Sequence, residues 1–520
     1  MPTWQRLTVL ASLLLLGWAV LLPPGQPPQW WHYAATGALL LTFLGSWHGQ
    51  HISTTVRRWA PMARYNRHRR TRGPEPARSH QDRSTGARSA ETDTALEAKI
   101  VIHLRPRPHA LTTPEDTADQ LPWKFITGWL HRYGVRADEL AITSATRTPP
   151  ASGLRADSAA LLSGRTPQHR DTWLTYTLRA HSNVAALTAR QTTMGQPAAD
   201  PATDDGVAQR AGLSDTTARR LVAELRERGW LATLTDSKQQ LPQFVAPTSA
   251  VRQETWTATE HSDGFRAIYA VRPHALAEVL EALPSLGTKS TWVTLIVRPQ
   301  GHQHALIEAC VGTLTSTQPI RHPLPGLDGF HGLHRHVAPA LTATGFDRGA
   351  CVDLPATEIM CTDLEALRWP TTAAGVPIGF TSQRQPVYLG LASPEPVRIT
   401  VTGTRQFQVG IVSRLALSGL PVAVDTANPG QWAALANHGA TQQFSIRPAV
   451  VPAGAIVVTD GSRETASGPI TVMLRRPQSA PAPATTVVIT QDGGHPNLFD
   501  ITTARGRQRL STRLADIARR

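Results

Sequence analysis

Two uncharged apolar stretches near the start of the chain constrain its organisation more than any other feature. They are residues 7–22 (LTVLASLLLLGWAVLL) and residues 30–47 (WWHYAATGALLLTFLGSW), joined by a loop without charge. As helices they would extend roughly 24 and 27 Å, close to the hydrocarbon thickness of a bilayer. Neither stretch has a polar face, which argues against two helices of a soluble core. The sequence therefore predicts a transmembrane helical hairpin over residues 1–50.

The distribution of arginine predicts the orientation of this hairpin. Arg6 precedes the first stretch, and a block of arginines follows the second. Because basic residues stay on the cytoplasmic side, we expect a two-pass protein of the cell inner membrane with both termini in the cytoplasm. A cleaved signal peptide is the alternative, but no A-x-A-like site precedes the loop. The arginines that we expect to bind anionic lipid are Arg57, Arg58, Arg64, Arg67, Arg69 and Arg70.

The charge and the cysteines of the chain exclude several classes of protein. The net charge of +14 is concentrated in the arginine block, so it does not by itself indicate a nucleic-acid-binding protein. The three cysteines, Cys310, Cys351 and Cys361, form no C-x-x-C pair. This argues against a disulfide scaffold, a zinc finger or an iron–sulfur site.

The remainder of the chain predicts a mixed α/β region. Residues 51–95 are expected to be a basic juxtamembrane segment and a disordered linker, followed by cytoplasmic α/β domains at 96–300 and 301–520. Hydrophobic patterning predicts strands at 99–104, 139–143 and 172–178 and a helix at 122–133. The predicted fold class is α/β: an N-terminal two-helix transmembrane hairpin, then a large cytoplasmic region with a degenerate βαβ unit.

Residues 207–230 resemble the second half of a helix-turn-helix. A small helix would turn near Gly212, and Ser214 would cap a longer helix. Ala218, Leu221 and Leu225 would form the buried stripe of that helix. The arginines expected to be exposed are Arg219, Arg220, Arg226 and Arg228. An amphipathic surface helix is the favoured interpretation, and a membrane-tethered DNA-binding regulator is the alternative.

Residues 397–426 have the outline of a nucleotide-binding βαβ unit. A strand is followed by a helix and by a second strand that ends at Asp425. The turn, GTRQFQVG, has glycines only at Gly403 and Gly410 and lacks the Lys-Ser or Lys-Thr of a phosphate loop. We therefore expect a degenerate structural unit, and a membrane-associated nucleotide-using enzyme is the weaker alternative.

A histidine group at His322, His331, His334 and His336 is the last candidate for chemistry. The spacing HxxHxH would allow two imidazoles on one metal, with Asp328 as the only nearby carboxylate. No nucleophile–base pair or carboxylate pair can be named from the sequence. The sequence therefore predicts no catalytic, cofactor-binding or metal-binding residue, no cofactor, and a protein that is not an enzyme.

The order of these features is similar to that of the EccE family, a membrane component of actinobacterial type VII (ESX) secretion systems. The similar segments are KIVIHLRPRPHAL, LPWKFITGWLHRYGVRADELAITS, RDTWLTYTLRAHSNVAALTARQ, TTARRLVAELRERGW and VRITVTGTRQFQVGIVSRLALSGLPVAVDTANPGQWAALANHG. The linker at 72–94 departs from the family pattern. The resemblance implies a non-catalytic scaffold subunit of an inner-membrane secretion complex. It also implies contacts with other membrane subunits, including an FtsK-like ATPase on a separate chain, and no nucleic-acid partner.

Overall fold

The structure is a computed structural model, and it describes most of the chain from residue 50 onward. The described ranges are 50–72, 97–105, 111–112, 120–148, 169–194, 204–235, 241–246, 249–301, 303–347, 352–369, 375–391, 395–439, 443–452, 454–462, 468–477, 485–504 and 506–512, with isolated positions elsewhere. The predicted spans 7–22 and 30–47 lie almost entirely outside these ranges, as does the predicted linker after Arg72.

Eight α-helices are present within the described ranges. They are α1 (Ile52–Arg72), α2 (Trp123–Gly128), α3 (Val184–Met194), α4 (Asp204–Glu227), α5 (Leu276–Ala282), α6 (His334–Val337), α7 (Arg405–Ala416) and α8 (Ala433–His438). The helix predicted at 122–133 is therefore too long. It ends at Gly128 because Tyr133 and Gly134, with φ of 55° and 74°, form the tip of a hairpin instead.

The first large sheet contains eleven strands, and all its described pairs are antiparallel. Its order is β10-β11-β12-β14-β13-β7-β8-β3-β9, with β15 against β12 and β18 against β14. The strands are β3 (Glu97–Arg105), β7 (Glu139–Arg147), β8 (His169–Arg179), β9 (Leu231–Leu234), β10 (Gln253–Glu254), β11 (Thr259–His261), β12 (Gly264–Val271), β13 (Ser290–Gln300), β14 (His304–Thr315), β15 (Leu327–Gly329) and β18 (Ala356–Met360). The predicted strands at 99–104, 139–143 and 172–178 are thus confirmed.

The two faces of this sheet are both covered by apolar side chains. On one face α2 and α4 pack, with Ile126 and Leu225 fully buried. On the other face the segment around α6 packs against Trp173 and Trp292. Because both faces are buried, the strands read as continuous apolar and β-branched runs. The hairpin of β13 and β14 spans residue 300, where the sequence suggested a domain boundary.

The second large sheet contains eleven strands and is parallel over one half. Its order is β23-β22-β24-β25-β21-β26-β27-β28-β19-β20-β4, and the pairs from β23 to β26 are parallel. The strands are β4 (Leu111–Thr112), β19 (Val376–Phe380), β20 (Pro386–Leu389), β21 (Val397–Thr402), β22 (Val422–Asp425), β23 (Phe444–Ile446), β24 (Ile456–Thr459), β25 (Ile470–Arg475), β26 (Val487–Gln491), β27 (Leu498–Thr503) and β28 (Gly506–Ser511). The predicted βαβ unit is formed by β21, α7 and β22.

Six two-residue strands pair as three small hairpins, β1–β2, β5–β6 and β16–β17. They are β1 (Ser46–Trp47), β2 (Gln50–His51), β5 (His131–Arg132), β6 (Val135–Arg136), β16 (Leu341–Thr342) and β17 (Gly345–Phe346). Together with the two sheets they give a mixed α/β architecture rich in strands, so the α/β class predicted from the sequence is confirmed.

Helix α1 lies against the first sheet and covers its short edge strand β10. Asn66 makes a reciprocal pair of hydrogen bonds with the backbone of Glu254: its Nδ2 donates to the carbonyl at 2.7 Å, and its Oδ1 accepts from the N–H at 3.0 Å. Arg69 and Tyr65 both donate to the carbonyl of Val251. The side chain of Arg335 lies 4.1 Å above the ring of Tyr65. These contacts protect an edge whose backbone groups would otherwise be open to pairing.

The two-pass inner-membrane topology with both termini in the cytoplasm is not supported. In the portion of the chain that the structure describes, no helix combines the length and the apolar character that crossing a bilayer requires. The long helix α1 carries seven arginines and no acidic residue, which makes it strongly polar. The predicted transmembrane hairpin of the fold class is therefore not confirmed.

Candidate functional site

The carboxyl ends of the parallel strands are the place where an open α/β sheet of this kind binds ligands. In this chain β21 ends at Thr402, and the chain passes through Gly403 and Thr404 into α7. Thr404 caps the helix, because its side-chain oxygen accepts from the N–H of Phe407. A phosphate would bind at this helix N-terminus in a nucleotide-binding relative of the fold.

Two side chains occupy that position. The Oε1 of Gln491, the last residue of β26, accepts from the N–H of Thr404 at 2.7 Å. The ring of Phe407 is fully buried and lies 5.6 Å from the ring of Phe499, centroid to centroid. A Cβ atom added to Gly403 would lie 2.8 Å from atoms of both Gln491 and Phe407. The glycine therefore accommodates packed side chains and not a ligand's phosphate.

The remaining polar groups at this edge also contact one another. The hydroxyl of Thr426 accepts from Trp432 Nε1 at 3.0 Å, and Asp460 accepts from the N–H of Ala427 at 2.9 Å. Gln408 donates to the carbonyl of Arg475 at 2.7 Å. Asp425, the acidic residue singled out in the sequence, ends β22 and is half-buried. The edge is thus held together by its own hydrogen bonds. Gln491 was not found from the sequence, because its position depends on how β26 pairs.

Helix α4 replaces the predicted helix-turn-helix. It runs without interruption from Asp204 to Glu227, so Gly212 lies inside the helix and the predicted turn there is wrong. A glycine in a helix interior costs only about 1 kcal/mol, less than the burial of the helix stripe contributes. That stripe, Ala218, Leu221 and Leu225, is buried as predicted. The four predicted arginines are exposed. The DNA-binding alternative is therefore not favoured.

The arginines of α4, and Arg228 directly after it, make local contacts. Arg219 forms an ion pair with Asp215 at 3.0 Å, and the Nε of Arg226 donates to the carbonyl of Ala232. The guanidinium of Arg220 lies 5.4 Å from the ring centroid of Tyr133, and that of Arg228 lies 4.3 Å from the ring centroid of Phe125. The sequence does not reveal these ring contacts, which require α2 and the hairpin β5–β6 to lie beside the C-terminal end of α4.

The histidine group is only partly buried: His331 and His334 are internal, whereas His322 and His336 are exposed. The ring centroids of His331 and His334 are 6.0 Å apart, and those of His322 and His331 are 6.1 Å apart. His331 and His334 are 2% and 0% exposed, and the Nδ1 of His334 accepts from the N–H of Ile268. Burial lowers the pKa of His331 to about 4 and that of His334 to about 3. Both are therefore neutral at physiological pH.

Asp328 lies apart from this group as a bidentate partner of Arg272 at 2.8 Å. Among the described residues, no three His, Cys, Asp or Glu side chains converge in a way that would hold a metal ion. Of the cysteines, Cys310 is fully buried, and this burial raises the pKa of its thiol. Cys361 is half-buried, and Cys351 lies outside the described ranges.

The arginines of α1 divide between the two sides of the helix. Arg58 and Arg69 face the first sheet, where Arg58 donates to the carbonyl of His331 and Arg69 to that of Val251. The exposed members of the set are Arg57, Arg64, Arg67 and Arg70.

Curated relatives of this chain are named as ESX-3 secretion system proteins. The chain is 29% identical over 355 residues to the ESX-3 secretion system protein EccE3 of Mycolicibacterium smegmatis, covering 67% of this chain and 91% of that protein. It is 27% identical over 347 residues to the EccE3 protein of Mycobacterium tuberculosis, covering 65% and 83%. No protein-family model matches the chain. This similarity, over 83–91% of the length of these relatives, supports an assignment of the chain to the EccE family.

Proposed function

We propose that this chain is a non-catalytic scaffold subunit of a type VII (ESX) secretion complex. The observation that carries the proposal is the similarity to ESX-3 secretion system proteins over 83–91% of their lengths. A shared fold or motif alone would not imply a shared assembly, so the proposal is supported by similarity that covers about two thirds of this chain and most of each relative.

The closed carboxyl edge of the second sheet supports a non-catalytic role. Gln491 and Phe407 fill the position that a nucleotide phosphate takes in related βαβ units. Opening this position would require the buried Phe407 ring to leave its contact with Phe499. Energy for transport would then come from another component, and we propose an FtsK-like ATPase on a separate chain.

The exposed side of α1 supports a further contact of this subunit. Arg57, Arg64, Arg67 and Arg70 are exposed on a helix without an acidic residue, so they are suited to bind anionic lipid headgroups. Arg58 and Arg69 hold the helix against the protein and are withdrawn from that role.

Affinity purification of the tagged full chain from its native host tests the proposal. We expect other secretion-system subunits, including the ATPase, to be recovered in constant ratio with the tagged chain. A chain that is recovered free of all of them, from cells that contain an assembled complex, would refute the scaffold role.

Thermal unfolding in the presence of ATP and magnesium tests the non-catalytic part of the proposal. We expect no shift of the unfolding temperature. Binding would be easy to detect, because a ligand at 100 times its dissociation constant raises the free energy of unfolding by about 2.7 kcal/mol.

A further inference from the structure

We propose that the outward side of α1 lies in the headgroup layer of an anionic bilayer, with Trp59 inserted among the lipids. This side consists of an apolar stripe and of arginines beside it. We call the stripe the outer stripe, and its residues are Val56, Trp59, Ala60 and Ala63. The inference rests on the proposed function, which assigns α1 a contact with anionic headgroups, and it specifies how that contact is made.

The side of α1 that faces the first sheet is mostly polar. Arg58, Tyr65, Asn66 and Arg69 all donate to backbone carbonyls of the sheet and its loops. Among the described side chains of α1, residues 54–70, only Met62 is buried. A surface helix normally turns its apolar stripe toward the protein core. Helix α1 does the opposite, so its apolar stripe is available to a partner.

The outer stripe follows the spacing of one helix side. Its members recur at i, i+3, i+4 and i+7, which places them in a row roughly 10 Å long. Val56 and Trp59 are each 56% exposed, although both are large apolar residues. Single exposed apolar residues are common, but two of them within one helical turn form a strip that is suited to an apolar partner.

Exposed arginines lie on both flanks of the outer stripe. Arg57 and Arg64 lie about two turns apart on one flank, and Arg70 lies beyond the C-terminal end of the stripe. The helix has no acidic residue to offset these charges. Arg67 is also exposed but has another interaction within the protein, so it is not counted. Near an anionic membrane surface, each such arginine tightens binding by about fivefold.

A bilayer surface matches both parts of this side. Anionic phosphates in the headgroup layer can pair with the arginines, and the apolar region just below can take Val56 and Trp59. Tryptophan is the residue enriched at this level of a bilayer. The long arginine side chains can reach the phosphates from either flank. A nucleic acid offers phosphates along its backbone but no apolar layer for a valine.

The test places the dye nitrobenzoxadiazole at Val56→Cys in the full chain, with Cys351→Ser and Cys361→Ser to keep the labelling specific. The vesicles contain nitroxide-labelled lipid, which quenches the dye only on contact with the bilayer. We expect quenching in vesicles of phosphatidylcholine mixed with phosphatidylglycerol, and little quenching in vesicles of phosphatidylcholine alone. The matched control is the same dye at Val184→Cys, because Val184 is a valine of α3 that is 59% exposed.

Two variants separate the contributions of charge and of the indole ring. Arg57→Gln with Arg64→Gln should lower the ratio of quenched to unquenched dye by about fivefold for each arginine. Trp59→Ala keeps the charge and should lower this ratio by about tenfold or more. Arg398→Gln with Arg405→Gln changes the net charge equally at exposed positions of the second sheet and should have no effect. Circular dichroism checks that each variant is folded.

Several outcomes would overturn the proposal. One is a dye at Val56 that is not quenched in the presence of phosphatidylglycerol, and another is equal quenching at Val184. An equal loss in the variant of Arg398 and Arg405 would show that quenching follows total charge. A dye at Val56 that responds to poly-L-glutamate but not to vesicles would identify an acidic protein as the partner instead.

Affinity purification of the tagged chain separates this inference from the scaffold role. If the chain recovers secretion-system subunits and the dye at Val56 is quenched, both proposals are supported. If the subunits are recovered but the dye is not quenched, the membrane contact of α1 is refuted and the scaffold role stands. If no subunit is recovered while the dye is quenched only with phosphatidylglycerol, the scaffold role fails and the contact of α1 stands.

Discussion

At the scale of single residues, Gln491 and Phe407 fill the turn after β21, at the helix N-terminus where a nucleotide-binding unit of this kind would hold a phosphate. The sequence after Gly403 lacks the glycines and the lysine of a phosphate loop. The sequence did not predict that Gln491 and Phe407 occupy this position. Gln491 is 88 residues from Gly403 in the chain, and the parallel pairing of β21 with β26 brings the two together. Contacts of this kind depend on strand order, which local patterns do not contain.

Replacing Gly403 by alanine tests the packing at this position. The new Cβ would lie 2.8 Å from both Gln491 and Phe407, too close for any real contact. We expect the free energy of unfolding to fall by about 1–3 kcal/mol, the usual cost of overpacking. Urea denaturation measures the change, and Gly430→Ala is the matched control, because no atom lies within 4 Å of a Cβ at that glycine. Equal stability of the two variants would contradict the close packing of Gln491 and Phe407 around Gly403.

The buried histidines predict how stability depends on pH. The pKa of His334 is about 3 in the folded protein, below the value of about 6.5 in an unfolded chain. As the pH falls, the unfolded chain therefore binds the proton first, so stability is full above about pH 6.5 and decreases toward the folded pKa. One such histidine lowers stability by about 2 kcal/mol at pH 5.

His334→Asn should make this dependence shallower. Asparagine can still accept from the N–H of Ile268, which His334 Nδ1 does in the protein, but it does not titrate. We expect the loss of stability between pH 7 and pH 5 to shrink by about 1–2 kcal/mol. Thermal unfolding across this range measures it, with the exposed His304→Asn as control. An unchanged pH dependence would show that His334 is not buried in the neutral form.

At the scale of elements, what the sequence predicted correctly is local. Strands β3, β7 and β8 and the unit β21–α7–β22 were found because each has its own apolar pattern. The buried stripe of α4 was found for the same reason, whereas a turn was wrongly placed at Gly212 inside it. The hairpin β5–β6 was missed, because the apolar pattern of 122–133 outweighed the turn signal of Tyr133 and Gly134.

The docking of α1 on strand β10 gives a prediction for that helix. Asn66→Leu removes both hydrogen bonds to the backbone of Glu254 and leaves those backbone groups without this partner. We expect amide hydrogen exchange in residues 52–72 to rise by about tenfold, equivalent to about 1.4 kcal/mol, while strands β13 and β14 remain protected. Arg64→Gln, on the exposed side of α1, should leave exchange unchanged. If both variants behave alike, α1 is not held by Asn66.

At the scale of the whole molecule, segments from distant parts of the chain complete each core. Trp369 is 1% exposed in the core of the first sheet, where its Nε1 donates to Ser144 at 2.9 Å. Conversely, Leu111 of β4 packs against the core of the second sheet. Contacts between segments that are distant in the chain cannot be predicted from composition. The sequence could therefore only suggest the boundaries of the domains.

A comparison of two fragments decides where the first folded unit ends. A fragment of residues 96–300 contains β13 but not β14, although the two strands pair from Ser290–Leu314 to Gln300–His304. It would expose the apolar side chains that β14 covers, and it also lacks Trp369. A fragment of residues 96–371 keeps both strands and the tryptophan.

Because a cooperative transition requires a complete core, we expect residues 96–371 to unfold cooperatively in urea and residues 96–300 to aggregate or to lose structure gradually. The substitution Trp369→Ala in the longer fragment should lower its stability by about 3–5 kcal/mol, as expected for a fully buried aromatic side chain. Cooperative unfolding of residues 96–300 would instead support the boundary suggested by the sequence at 300, and would mean that β14 adds to a unit that is already stable.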